Sequence, residues 1–154
     1  MIYNSQRLFN KIETTKKMHY FIAKYYKDLR NFHIVRNGKR VPLLSLTVKQ
    51  FFDFVRKIPY RQDKKPIEVV ARPKHILNSR RIGMDCKKKS VLIASYLKNR
   101  KIPYRLIGSS IKSTRRIHHI FPQACFSGDW KNLDATYNHN KIFEPKKVTS
   151  YELL

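Results

Sequence analysis

Between Ser5 and Phe32, Leu8, Ile12, His19, Ile22, Tyr26 and Leu29 recur at steps of three, four and seven, with lysines filling much of the remainder. The spacing predicts one long amphipathic helix whose aromatics, Phe9, Tyr20, Phe21, Tyr25 and Tyr26, pack as core. The next stretch, FHIVRNGKRVPLL, sets Asn37 and Gly38 between two short apolar runs, the signal for a two-residue hairpin. Thr47 then precedes VKQFFDFVRKI with Gln50 three positions on, a capping box that opens a short helix ending before Pro59. From Tyr60 to Ile82 prolines and basic residues break any period, which predicts an irregular connection with one helical turn near Pro73 to Leu77.

Regular patterning returns at GMDCKKKSVLIASYLKNRKIPYRLIG. Val91, Ala94, Ser95, Leu97 and Lys98 keep helical spacing, and Asp85 is a natural N-cap, so a helix begins at or beside Cys86. Ile102 to Gly108 reads as a strand, and IHHIFPQACF and DWKNLDATY as two more joined at Ser127 and Gly128. Helices and antiparallel strands in this order predict an α+β fold, with a helix, hairpin and helix extension over residues 1–60 and a core over 61–154, all in one domain.

Composition narrows the partners. The 154 residues carry 34 Lys and Arg against 10 Asp and Glu, a net charge of +24. Residues 1–77 hold 18 basic and 5 acidic residues and residues 78–154 hold 16 and 5, so the charge is spread rather than confined to an arm. A surface of this kind suits nucleic acid or another polyanion. Apolar residues at 42% and aromatics at 12% exclude a disordered tail. Two cysteines are too few for a disulfide scaffold, the first residues lack a signal-peptide pattern and no run reaches membrane-span length. The expected location is therefore cytoplasmic. The histidines at 19, 33, 75 and 139 lack ligand spacing, and no metal or cofactor is expected.

A thiol at a helix start meets free backbone N–H groups and the positive end of the dipole, which favour the thiolate, and Lys87, Lys88 and Lys89 are read as adding to that field. Cys86 is thus the candidate nucleophile. With a two-residue turn at Ser127 and Gly128, Phe126 opposes Asp129 and Asp134 falls opposite Phe121, which puts His119 and Asp134 on one sheet face. A slip of one residue would give Asp134 to His118 instead. Nucleophile, base and orienting acid are the parts of acyl-transfer catalysis. The helix start supplies one oxyanion donor, the Cys86 N–H, and Tyr60, Gln62 and Asn78 are alternatives for a second. Cys125 reads as packing, Trp130 as a core anchor beside the hairpin, and Gln123 as part of the wall.

The run G-M-D-C-K-K-K-S-V-L-I-A-S-Y-L-K-N-R-K-I-P-Y-R, then H-I-F-P-Q, then W-K-N-L-D-A-T-Y, resembles the core of the transglutaminase-like superfamily, including versions common in tailed phages, over about residues 66–140. The family pattern sets Gly and Asp beside a nucleophilic Cys at a helix start, His before a small residue and an aromatic, and Trp leading to Asp. Carried over, Cys86, His119 and Asp134 take the triad positions, with His119 rather than His118. Met84 between Gly83 and Asp85 departs from the pattern, as do Lys87 and Lys88 where phage-type members often carry acids; the second bears on substrate charge. The resemblance implies a papain-like core, its nucleophile helix packed on an antiparallel sheet with the amino-terminal helix outside. It also implies a cysteine protease, amidase or transglutaminase acting on a protein, peptide or other amide. If phage-encoded, the protein would work in the host cytoplasm or the virion beside other virion proteins. The alternative is a non-catalytic, basic virion or nucleic-acid-associated protein that keeps the fold.

Overall fold

A computed structural model describes residues 2–5, 11–64, 68–110, 117–148 and 150–154. The fold is α+β with antiparallel sheets. Its centre is α4 (Cys86–Asn99), on which α1 (Lys11–Tyr25), α2 (Val48–Lys57), α3 (Pro73–Asn78) and β6 (His119–Phe126) all pack. Val91, Leu92, Ala94, Ser95, Tyr96 and Leu97 are buried around almost its whole circumference, so the helix is a core element rather than a surface one.

The expected helix from Ser5 to Phe32 is shorter than its period suggested. Ser5 belongs to β1 (Ile2–Ser5), α1 starts at Lys11, and residues 26–31 form a 3-10 turn. Leu8 and Phe9 lie outside the described residues. The buried stripe is also rotated: Thr14, Thr15, Met18, Phe21 and Ile22 face α4, whereas His19 is half-buried and Tyr20 exposed. Tyr20 stays exposed with the Lys24 ammonium over its ring, while Tyr25, also approached by Lys24, packs partly buried against the core. α1 packs from outside onto α4, feeding Met18, Phe21 and Ile22 into the shared core while Tyr20 and Lys24 stay exposed.

The hairpin of β2 (His33–Arg36) and β3 (Lys39–Pro42) turns at Asn37 and Gly38, both at positive φ, as two-residue turns require. Thr47 caps α2 through a complete capping box, and the helix ends at Lys57. Phe51 of α2 stacks on Tyr96 at 4.2 Å between ring centroids, and the Tyr96 hydroxyl donates to the Leu46 carbonyl at 2.6 Å. Full burial of such a ring contributes about 1.5–3 kcal/mol.

The segment expected to be irregular contains β4 (Glu68–Ala71), paired with β1, and α3. Apart from Val69 and Val70, β4 shows little apolar pattern of its own; its strand character comes from pairing with a segment more than sixty residues away. The main sheet adds β5 (Tyr104–Ser110), β7 (Asp129–Asn132) and β8 (Ser150–Leu153) to β6, in the order β7-β6-β5-β8. Ser127 and Gly128 form the two-residue turn, both at positive φ, and Phe126 pairs with Asp129. β7 ends at Asn132, so Asp134 lies just beyond the strand, not within it. Trp130 is 39% exposed with the Arg105 guanidinium over its ring at 4.2 Å, which corrects its reading as a core anchor.

Candidate active site

α4 begins at Cys86 because Asp85 caps it, its side chain accepting from the Lys88 N–H at 3.1 Å. The chain before it is drawn tightly against the 59–61 segment. The Met84 N–H donates to the Pro59 carbonyl at 2.9 Å, the Arg61 N–H donates to Met84, and Tyr60 pairs with Met84 in a parallel bridge. Gly83 has a φ of +100°, and a Cβ there would stand 2.9 Å from the Pro59 oxygen, so only glycine permits this approach.

His119 opens β6, which the Ser90 hydroxyl of α4 ties down by donating to the Ile120 carbonyl at 3.2 Å. His119 Nε2 lies 2.7 Å from Asp134 Oδ2. The Cys86 side chain lies close enough to His119 to help raise its pKa. His118 is exposed. Cys86, His119 and Asp134 thus arrive from the start of α4, the start of β6 and the loop after β7, and adjoin one another.

Asp134 is 3% exposed and fully engaged: Oδ2 also faces the Lys146 ammonium at 2.5 Å, and Oδ1 accepts from the Thr136 N–H at 3.1 Å. Burial works to raise its carboxyl, but the hydrogen bond and charge of His119 and the charge of Lys146 outweigh this and hold it well below the usual range. For His119 burial opposes the charged ring, yet the hydrogen bonds and charges of Asp134 and Cys86 prevail and its pKa rises to about 10. The imidazole is therefore set up to hold a proton between two partners.

The three lysines after Cys86 require a correction. Lys87 pairs with both Asp85 and Asp63, and Lys88 with Asp63 at 2.8 Å. Burial is the main cause of a raised Asp85 carboxyl, with Lys87 opposing it and Asp63 adding to it. Lys89 is 1% exposed and turned to backbone carbonyls. These charges are neutralised by acids and dipoles around the helix start, so they do not form an open positive field at the thiol.

Of the alternatives for a second oxyanion donor, Tyr60 stands beside the site. Its phenol lies close enough to Tyr137, Cys86 and Asp85 to be influenced by them, and burial is the largest of the effects that raise its pKa and keep it a donor. The rings of Tyr60 and Tyr137 lie 4.9 Å apart, and Tyr137 is nearly parallel to His119 at 6.3 Å. Asn78 instead ends α3, and Gln62 is exposed. Gln123 bridges strands, accepting from Arg105 Nε and donating to Asn132. Cys125, half-buried, pairs with Trp130 across β6 and β7. Tyr137 and Lys146 carry no sequence signal and Lys89 only that of a charge at the helix start, because each acquires its place through a loop or a fold-dependent contact. Among the described residues no cluster of three or more His, Cys, Asp or Glu could hold a metal, and no helix is long and apolar enough to cross a membrane.

No family model matches the sequence, and no curated protein matches it. Among solved structures, the chain is similar to a candidate cysteine protease from Cytophaga hutchinsonii, at 14% identity and a TM-score of 0.45, over 96% of this chain and 52% of that one. The chain thus spans about half the length of that protein.

Proposed function

We propose that this protein is a cysteine-dependent acyl-transfer enzyme with a transglutaminase-like core, acting on a carboxamide or peptide bond. The observation that carries the reading is His119, hydrogen-bonded to Asp134 and close to the Cys86 side chain, with the thiol at a capped helix start. The Cys86 thiolate, with its proton already held on His119, attacks the carbonyl carbon through Sγ, and the carbonyl electrons move onto oxygen. The Cys86 N–H at the helix start and the Tyr60 hydroxyl are the donors proposed for that oxyanion. Collapse of the tetrahedral adduct breaks the carbon–nitrogen bond, and His119 gives its proton to the departing amine. Water or a second amine then attacks the thioester, loses a proton to His119, and releases Cys86 as the thiolate beside the protonated imidazole. Asp134 holds the imidazole throughout with Nε2 protonated. In this reading residues 61–154 are the catalytic core and residues 1–60 an extension sharing its hydrophobic interior.

The test uses p-nitrophenyl acetate as acyl donor, with mass spectrometry of the trapped protein. A wild-type acetyl adduct on Cys86, absent from Cys86→Ser and retained in Cys125→Ser, is the expected result; an adduct spread equally over both thiols would sink the proposal. Added primary amine distinguishes transfer from hydrolysis by the product released.

A second, separable contact is favoured by the surface around Tyr26. Lys27, Arg30 and Lys98 ring its aromatic face at 5.1–6.0 Å, an arrangement of cations and aromatic that suits a polyanion such as nucleic acid. Binding there should weaken steeply with salt and be unaffected by Cys86→Ser.

A further inference from the structure

Lys89 sits three residues after Cys86 on α4, with its ammonium buried and unused by the chemistry above. It donates to the Ile58 carbonyl at 2.6 Å, to Thr136 at 2.8 Å, to Ala135 at 3.1 Å and, more weakly, to Arg56 at 3.3 Å. Two of these acceptors directly follow Asp134. Another, Ile58, stands two residues before Tyr60. One cation therefore joins the nucleophile helix, the loop of the orienting acid and the segment of the proposed oxyanion donor.

We infer that Lys89 is a positioning residue: its ammonium fixes the Asp134 loop and the Tyr60 segment against the start of α4, and so sets how Asp134 meets His119. This rests on the acyl-transfer reading for its catalytic meaning, though not for its geometry. A buried ion is costly unless its donors are all satisfied, and four converging carbonyl dipoles do that here. A methionine of similar length would leave those carbonyls without the donor, and burial of unpaired carbonyls drives the loop and segment apart. Bonds from Asn140 and Thr136 still hold Asp134 from the other side, so a local shift is expected rather than loss of the whole loop.

The charged groups facing Lys89 are few. Arg56 approaches from the end of α2 and repels it, and Asp134 approaches from the loop and attracts it, with His119 and Lys146 beyond that carboxylate. On its own helix Lys87 and Lys88 are turned to Asp63 and Asp85. Burial dominates, with Arg56 assisting and Asp134 opposing, and lowers the Lys89 pKa to about 8. Above that pH a neutral amine has two N–H donors and a lone pair for the same carbonyls, and at least one short contact must be given up.

The deciding measurement is the NMR titration of the His119 ring in the wild type, Lys89→Met and Lys89→Arg, because its raised pKa reports the Asp134 hydrogen bond without requiring turnover. In folded Lys89→Met the midpoint should fall from near 10 by one unit or more, and Lys89→Arg, which keeps the cation, should recover at least half of that change. An unchanged midpoint in folded Lys89→Met overturns the inference. Should Lys89→Met not fold, the wild type decides: Cys86-dependent cleavage of p-nitrophenyl acetate should drop at least threefold from pH 7 to pH 9 with near-ultraviolet dichroism unchanged, and a flat rate overturns the inference. Equal ester cleavage by Cys86→Ser would sink the acyl-transfer reading, while the His119 titration would still judge Lys89.

Discussion

Two lysine-rich regions of this chain treat the same side chain in opposite ways. On α1 and the 3-10 turn after it, Lys24 and Lys27 are exposed and lie over tyrosine rings, their charges open to solvent and to any anionic partner. At the start of α4, Lys87, Lys88 and Lys89 are sequestered by Asp63, Asp85 and backbone carbonyls. The difference teaches that a net charge of +24 is not a uniform field: near the candidate site it is consumed in organising the structure, and on the helical face it remains available.

The largest expected effect separates the two regions outright. Cys86→Ser should lower Cys86-dependent ester cleavage by ~10³-fold or more while polyanion binding in a gel-shift titration stays the same, as expected when a nucleophile is removed from a concerted set. A joint loss of both would merge the regions into one site. Tyr60→Phe comes next: loss of one oxyanion donor should slow acylation by about 10–100-fold yet leave iodoacetamide alkylation of Cys86 within about twofold, since alkylation builds no oxyanion. Equal slowing of the two reactions would make Tyr60 a packing residue.

A pH series sharpens the comparison through stability. The folded pKa of His119, about 10, exceeds the ordinary 6.5, so the folded protein binds the extra proton between those values. Its stabilising contribution is complete below pH 6.5 and is lost as pH rises through 10. Lys89 acts with the opposite sign between pH 8 and 10.5, because its folded pKa is the lower one. Urea midpoints of His119→Gln and wild type from pH 6 to 10 should therefore converge with rising pH; a constant gap would contradict the raised His119 pKa. The smallest effect belongs to the exposed face, where the Lys27→Glu and Arg30→Glu double variant should weaken polyanion binding several-fold and reduce the salt slope by about one or two. An unchanged slope would remove the ring around Tyr26 from the contact.

Local rules were legible wherever the chain's own neighbours supply the partners. The Thr47 and Gln50 capping box, the Asp85 cap and both two-residue turns involve groups within three residues of one another, so spacing alone specifies them. The Ser127 and Gly128 turn then propagates its register along β6 and β7, which is why the pairing of Phe126 with Asp129 could be read in advance. The class of the fold, α+β with antiparallel strands, follows from those elements in order. What the sequence concealed depends on distant contacts. The pairing of β1 with β4, the rotation of the α1 stripe toward Thr14, Thr15 and Met18, and the turning of Lys89 to carbonyls from two loops all arise only when segments tens of residues apart meet in a common core. A lysine is written the same way on a solvated face and in a buried cage of carbonyls; desolvation, which only the tertiary structure determines, decides which of the two it becomes.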